Sequence, residues 1–240
     1  MITLRGVSKH HNRGMMQARV LDGIDLAVPR RARLVVLGHH GSGKSTLLRV
    51  IAGTQLASEG QVERRGTVSP PTGLARFTKP HWSVRVFVLR LAEIYSVDPR
   101  QLLTFVTEFA ILQDMLDETV VSLPAPFRQR LDTALILGIP FDFYLFDERL
   151  GPTSPIGFRD ACWKALEQRL KHSGMIFTTS SPRVAGQFQA AGAILHSGKL
   201  SLFPTVAEAI ETFARLPPSF EDLSTGAVHA EAEEEEEEFG

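Results

Sequence analysis

The segment Gly38-His39-His40-Gly41-Ser42-Gly43-Lys44-Ser45-Thr46 constrains this chain more than any other stretch of its 240 residues. It fits the pattern G-x-x-x-x-G-K-[ST] and stands between an apolar run, Leu34–Leu37, and a helical pattern, Ser45–Ala52, closed by Gly53. Glycines at these places let backbone N–H groups close around phosphate oxygens, and the helix N-terminus that follows adds partial positive charge. Lys44 is then expected to reach the β- and γ-phosphates, Ser45 to offer its hydroxyl to Mg²⁺, and Thr46 to lie near the α-phosphate. A chance Gly-rich turn is the competing reading, and the strand-loop-helix context weighs against it.

The rest of the chain supplies the layers such a loop requires. Strand-like runs at Ile2–Val7 and Gly23–Val28 precede Leu34-Val-Val-Leu37, whose β-branched middle suits a strand buried on both faces. From about 80 to 140 the pattern is helical throughout: Ser83–Tyr95, then Asp98-Pro99 opening a helix to Ala110, then Pro126–Leu137. Phe141–Phe146 and Met175–Thr179 read as further buried strands, with a helix over Ile156–Leu170 between them. A hairpin of Ala193–His196 and Leu200–Phe203 turns at Ser197-Gly198, and Thr205 caps a last helix to about Leu216. The order predicts a mostly parallel α/β sheet with an antiparallel margin and an inserted helical subdomain.

A second chemical signal lies in Phe143-Tyr-Leu-Phe-Asp147-Glu148, where two carboxylates follow a buried strand at the edge on which open α/β sheets bind ligands. Asp147 can hold Mg²⁺ through water, and Glu148, the candidate catalytic residue, can orient or deprotonate an attacking water. Either acid alone would read as an ordinary turn. Beside an intact phosphate loop the pair reads as a site.

Composition bounds the remaining choices. At 43% hydrophobic and 22% charged the chain is globular. One cysteine, Cys162, cannot form an internal disulfide, the first residues lack a secretory-signal layout, and no stretch approaches the roughly 20 apolar residues of a membrane span. The expected compartment is the cytosol, with membrane contact only at the periphery. The net charge of −1 conceals nine acids and no Lys or Arg in residues 221–240, which leave residues 1–220 with 18 acids against 26 cations, a body of +8. The run Glu233–Glu238 repels itself and is expected to be disordered. A basic body attracts nucleotides, nucleic acid or anionic headgroups alike.

Taken together, Gly38–Thr46, Thr67–Ala75, Arg128–Leu131 and Phe141–Glu148 resemble the nucleotide-binding subunits of ABC transporters, more closely those of capsular polysaccharide exporters. The resemblance covers roughly residues 1–215. It implies a P-loop NTPase, RecA-like core within residues 1–216 and a helical subdomain at about 78–135, and the composition sets residues 217–240 apart as an acidic tail. It also implies ATP and Mg²⁺ as cofactors, head-to-tail pairing with a second nucleotide-binding subunit, identical or an intact homologue, and a membrane-spanning permease as partner at the cytoplasmic face of the inner membrane. Nucleic acid is not an expected partner. An appended sugar-binding domain is not expected, and a soluble kinase or GTPase is disfavoured because no Asn-Lys-x-Asp motif is present.

Several positions depart from the family pattern. The signature Leu-Ser-Gly-Gly-Gln becomes Leu123-Pro124-Ala125-Pro126-Phe127, in which two prolines remove two backbone donors and Ala125 has no hydroxyl. The Gln-bearing loop reads Ala75-Arg-Phe-Thr-Lys79-Pro80, with Lys79 nearest the expected place. Ser180 replaces the switch histidine, the loop Arg149–Ser154 lacks its Asp, and His11 stands where an aromatic stacks on adenine. These losses predict a degenerate subunit that binds Mg-ATP and hydrolyses it poorly, or, from another class, a regulatory or scaffold pseudo-ATPase. The adjacent pairs His10-His11 and His39-His40 lack the helical spacing of metal ligands. Phe105, Val106 and Phe109 read as core, and Cys162 as a structural thiol.

Overall fold

The computed structural model describes residues 1–13, 16–71, 74, 78–79, 81–148 and 156–217. The expected acidic tail, the loop Arg149–Ser154, most of the Gln-loop position and the side chain of His11 lie outside the described residues or side chains.

Five strands form the central sheet, in the order β5 (Phe143–Asp147), β6 (Gly174–Thr179), β3 (Arg33–Leu37), β7 (Ala191–His196), β8 (Lys199–Phe203). The first four are parallel, and β8 pairs antiparallel with β7 as a hairpin. Side chains alternate between its two covered faces. Leu34, Val36, Leu145 and Ile176 join one apolar cluster, while Val35, Leu37, Tyr144, Phe146 and Phe177 join the other. Burial on both sides explains why these strands read as unbroken apolar runs.

The antiparallel margin is more elaborate than the sequence suggests. β1 (Ile2–Arg13) and β2 (Met16–Val28) leave the central sheet and pair with β4 (Glu59–Arg64) in a three-stranded sheet ordered β2-β1-β4. Ile2, Leu4, Leu21, Ile24, Leu26 and Val28 point inward and bury against α1 (Lys44–Ala52), whose Leu47, Leu48, Val50 and Ile51 lie in the same cluster. β4 carries a single apolar residue, Val62, so no alternation marks it. What β4 contributes is Arg64: its Nε and Nη2 each donate at 2.6 Å to the carbonyls of Ile51 and Val50 at the end of α1. A cation there offsets the negative end of the helix dipole.

The helical stretch comprises α2 (Val84–Tyr95), α3 (Pro99–Ala110), a 3₁₀ turn at Gln113–Met115 and α4 (Ala125–Gly138). Asp98 accepts from the Gln101 N–H as the expected N-cap, and Ser83, expected as the first helical residue, instead caps α2 by accepting from the Val86 N–H. Val106 is fully buried, and Phe105 and Phe109 stack at 5.0 Å as partly buried core. α5 (Ile156–Leu170) returns beside α4, where Arg169 donates at 2.7 Å to the carbonyls of both Leu137 and Gly138. α4 is thereby tied at its C-terminus to α5. A short α6 (Pro182–Ala185), with no apolar period to announce it, precedes β7, and α7 (Val206–Phe213) stops three residues before the expected end. No helix among the described residues is long and apolar enough to cross a membrane.

Candidate functional site

Register decides which residues meet. Leu37 of β3 lies beside Thr179 of β6, and Asp147 of β5 beside Thr178, so Gly38, Glu148 and Ser180 all emerge at the carboxyl edge of the sheet.

The loop between β3 and α1 is a cradle that tolerates no added carbon at two glycines. A Cβ on Gly38 would lie 2.4 Å from Ser42 Oγ and 2.8 Å from the Leu195 carbonyl. Gly43 has φ +96, and its Cβ would meet Val20 Cγ1 at 2.8 Å. Inside this turn Lys44, 6% exposed, donates from Nζ to the carbonyls of Gly38 and His39, both at 2.9 Å. Its amine also lies 3.3 Å from Oε1 of Glu148. A buried amine held by two carbonyls and one carboxylate exchanges these for phosphate oxygens without further desolvation. Ser42 Oγ is buried without a hydrogen-bond partner among the described residues. The closely wrapped backbone, the buried cation and that hydroxyl together fit a polyphosphate.

Glu148 is held tightly for an exposed-edge carboxylate. Its φ is +62, a left-handed conformation that a non-glycine residue adopts at a cost of about 1–3 kcal/mol. Its N–H donates to the Thr178 carbonyl at 2.9 Å, and its Oε2 accepts from Thr179 Oγ1 at 3.3 Å, the Ser180 N–H at 3.2 Å and Ser180 Oγ at 3.4 Å. Asp147 accepts from Thr178 Oγ1 at 2.7 Å. Among the described residues no three His, Cys, Asp or Glu side chains converge on a ready-made metal site. Mg²⁺ bound with phosphates needs only one or two protein oxygens, which the Ser45 hydroxyl and the Asp147 carboxylate could supply.

The two loop histidines diverge. His39 turns its ring to Phe213 of α7, 4.6 Å between centroids, and its Nε2 lies 3.3 Å from the Leu216 carbonyl. Its contribution to the cradle is therefore backbone. His40 is exposed, with Nε2 3.4 Å from Ser180 Oγ. Neither partnership is legible in sequence, because the partners lie far along the chain. Gly41 takes φ +84, as the turn requires, and Thr46 is buried at the head of α1. His11 pairs with Ala18 across β1 and β2.

At the signature position α4 begins at Ala125 with Pro124 as its N-cap and no side-chain cap. Pro124 and Pro126 have no N–H, and the Phe127 and Arg128 N–H groups both point to the Pro124 carbonyl, at 3.0 and 3.1 Å. Within Leu123–Phe127 only Leu123 and Ala125 keep an N–H outside that turn. The helix survives the prolines, while its anion-binding end is largely spent.

Residues 21–149 match the family model described as ABC transporter. The chain belongs to that family of ATP-binding domains. Among curated proteins, the ATP-binding protein BexA of Haemophilus influenzae is 26% identical over 213 residues, covering 89% of this chain and 98% of BexA. The capsule polysaccharide export ATP-binding protein CtrD of Neisseria meningitidis serogroup B is 28% identical over 217 residues, covering 90% of this chain and all of CtrD. Two solved ABC structures share the fold. One is an ATP-binding subunit of an ABC transporter, with TM-score 0.71 and 18% identity over 94% of this chain and 98% of that one. The other, the dimeric cassette MJ0796, has TM-score 0.69 and 18% identity over 86% of this chain and 99% of that one. The P-loop ABC fold expected from the sequence is thus the observed one.

Cys162, the remaining sequence candidate, is buried, and burial pushes its thiol up to about 12. It is not a nucleophile at neutral pH.

Proposed function

We propose that this chain is the Mg-ATP-binding subunit of a polysaccharide-exporting ABC transporter. The observation that carries this reading is the Lys44 amine, buried in a glycine cradle and facing Glu148. In it, the backbone of Gly38–Gly43 and the Lys44 amine hold the β- and γ-phosphates, Thr46 lies by the α-phosphate, and Ser45 and Asp147 hold Mg²⁺. Mg²⁺ held there would neutralise phosphate charge, and Glu148 would orient water toward the terminal phosphate. His11 offers its ring to the base. The resemblance to the capsule polysaccharide export protein CtrD supports a polysaccharide cargo.

Hydrolysis is weak in this reading. Leu123–Phe127 retains too few donors to stabilise charge on a phosphate held by a second subunit, and Ser180 lacks an imidazole. The chain therefore works beside a second nucleotide-binding subunit that carries an intact signature, and under a membrane-spanning permease at the cytoplasmic face of the inner membrane. The permease docks near Lys79 and Trp82, at the start of the helical stretch. The same departures favour a second reading, a regulatory or scaffold pseudo-ATPase that has no permease.

Affinity purification of the tagged chain from its native membranes distinguishes the two. Co-elution of a membrane-spanning subunit is the expected result. Recovery of the chain without any membrane subunit overturns the transporter reading.

A further inference from the structure

We infer that His40 has taken over, from inside the phosphate loop, the contact to a terminal phosphate that Ser180 cannot make. This rests on the Mg-ATP reading above. Ser180 follows β6 beside Glu148, with its N–H 3.2 Å and its Oγ 3.4 Å from Glu148 Oε2. A serine hydroxyl ends one bond beyond Cβ, whereas an imidazole extends well past it. On the far side of that hydroxyl, at 3.4 Å, stands His40 Nε2. Lys44, Glu148, Ser180 and His40 thus form a continuous arc from the buried amine, which reaches the β- and γ-phosphates, to an exposed imidazole. The ring supplies an N–H donor at the outer end of that arc, and Ser180 orients it.

The geometry distinguishes His40 from its neighbour. His39 has its ring committed to Phe213 and Leu216. His40 has only the hydroxyl of Ser180 as a described hydrogen-bonding partner, at a distance that leaves it to be drawn onto an incoming anion. Polar contacts in a site without its substrate are often long and tighten on binding.

A terminal phosphate is present in ATP and absent from ADP, so the role is readable as selectivity. Calorimetric titrations of Mg-ATP and Mg-ADP are compared for the wild type, His40→Ala and the double variant His40→Ala with Ser180→His. His40→Ala is expected to lose about tenfold or more in ATP affinity, the worth of one hydrogen bond to a charged group, while ADP affinity stays within about threefold. Ser180→His, which returns an imidazole from the opposite wall, is expected to restore most of the lost ATP affinity. Equal losses for ATP and ADP, no loss at all, or a selective loss that Ser180→His leaves unrepaired would each overturn the inference. A wild type that binds neither nucleotide overturns the Mg-ATP reading itself, and this inference with it.

Discussion

The Lys44 ammonium and the Glu148 carboxylate lie 3.3 Å apart, one at the head of α1 and the other just past the end of β5. Neither neighbourhood in sequence contains the other. They meet because β5, β6 and β3 are parallel and in register, so three loop origins share one edge. Lys44 is buried and Glu148 half-buried, so the cradle holds a desolvated cation whose partners are two neutral carbonyls and one partly solvated carboxylate.

Asp142 lies at the opposite end of the sheet, just before β5. It accepts from Arg30 at 2.7 Å and from the Thr67 N–H at 2.8 Å. The Arg30 guanidinium first, and then the Thr67 N–H, hold its carboxyl below the usual value. Thr67–Ser69 is thereby pinned along β5, where Ser69 Oγ accepts from the Leu145 N–H at 2.8 Å. A depressed folded-state pKa contributes stability that is present above the unfolded value, about 4, and lost as pH falls through the folded value. Asp142→Asn is therefore expected to lower the urea midpoint at pH 7 and to approach the wild type in acid. A gap that does not narrow below about pH 4 would contradict the assignment.

Arg169→Ala tests the tie between α4 and α5. The guanidinium makes two bonds of 2.7 Å to the last carbonyls of α4, partly buried. Its removal is expected to cost about 1.5–3 kcal/mol, which for a domain of this size lowers Tm by roughly 3–12 °C. Arg169→Lys recovers only part, since an ammonium cannot span both carbonyls with one planar fork.

Hydrolysis by the isolated chain is expected to be very slow. Losing one donor to a developing oxyanion costs about 10²–10³ in rate, and Pro124 and Pro126 remove two potential donors. Phosphate-release assays on purified protein check this. Turnover of about 1–10³ s⁻¹, common among enzymes, would contradict the degenerate reading of Leu123–Phe127.

Trp82 precedes α2 and is half-buried, its ring 6.4 Å from Phe87 with the Lys79 amine 5.4 Å from its centroid. Trp82→Ala is expected to leave Mg-ATP binding nearly intact and to release the chain from the membrane subunit proposed above. A folded Trp82→Ala protein that still co-purifies normally would assign the ring to packing alone.

Much of this architecture is legible in the sequence because its signals are local. Leu34–Leu37 and Phe143–Phe146 are apolar throughout since both faces are covered, and Ser83, Asp98 and Thr205 announce helix starts through their own side chains. β4 escapes because an exposed edge strand with one apolar residue, Val62, has no period to detect. The phosphate loop likewise shows in its glycines and lysine. The imidazole of His40 beside Ser180, and that of His39 against Phe213, do not, because β6 and α7 reach them only through the sheet order. Local patterns carry elements and motifs, and tertiary register carries their partners.

The most direct test of the Mg-ATP reading is a calorimetric titration of Mg-ATP into the wild type and Lys44→Ala. Saturable binding by the wild type and none by Lys44→Ala is the expected result. Micromolar Mg-ATP binding retained by Lys44→Ala would contradict it.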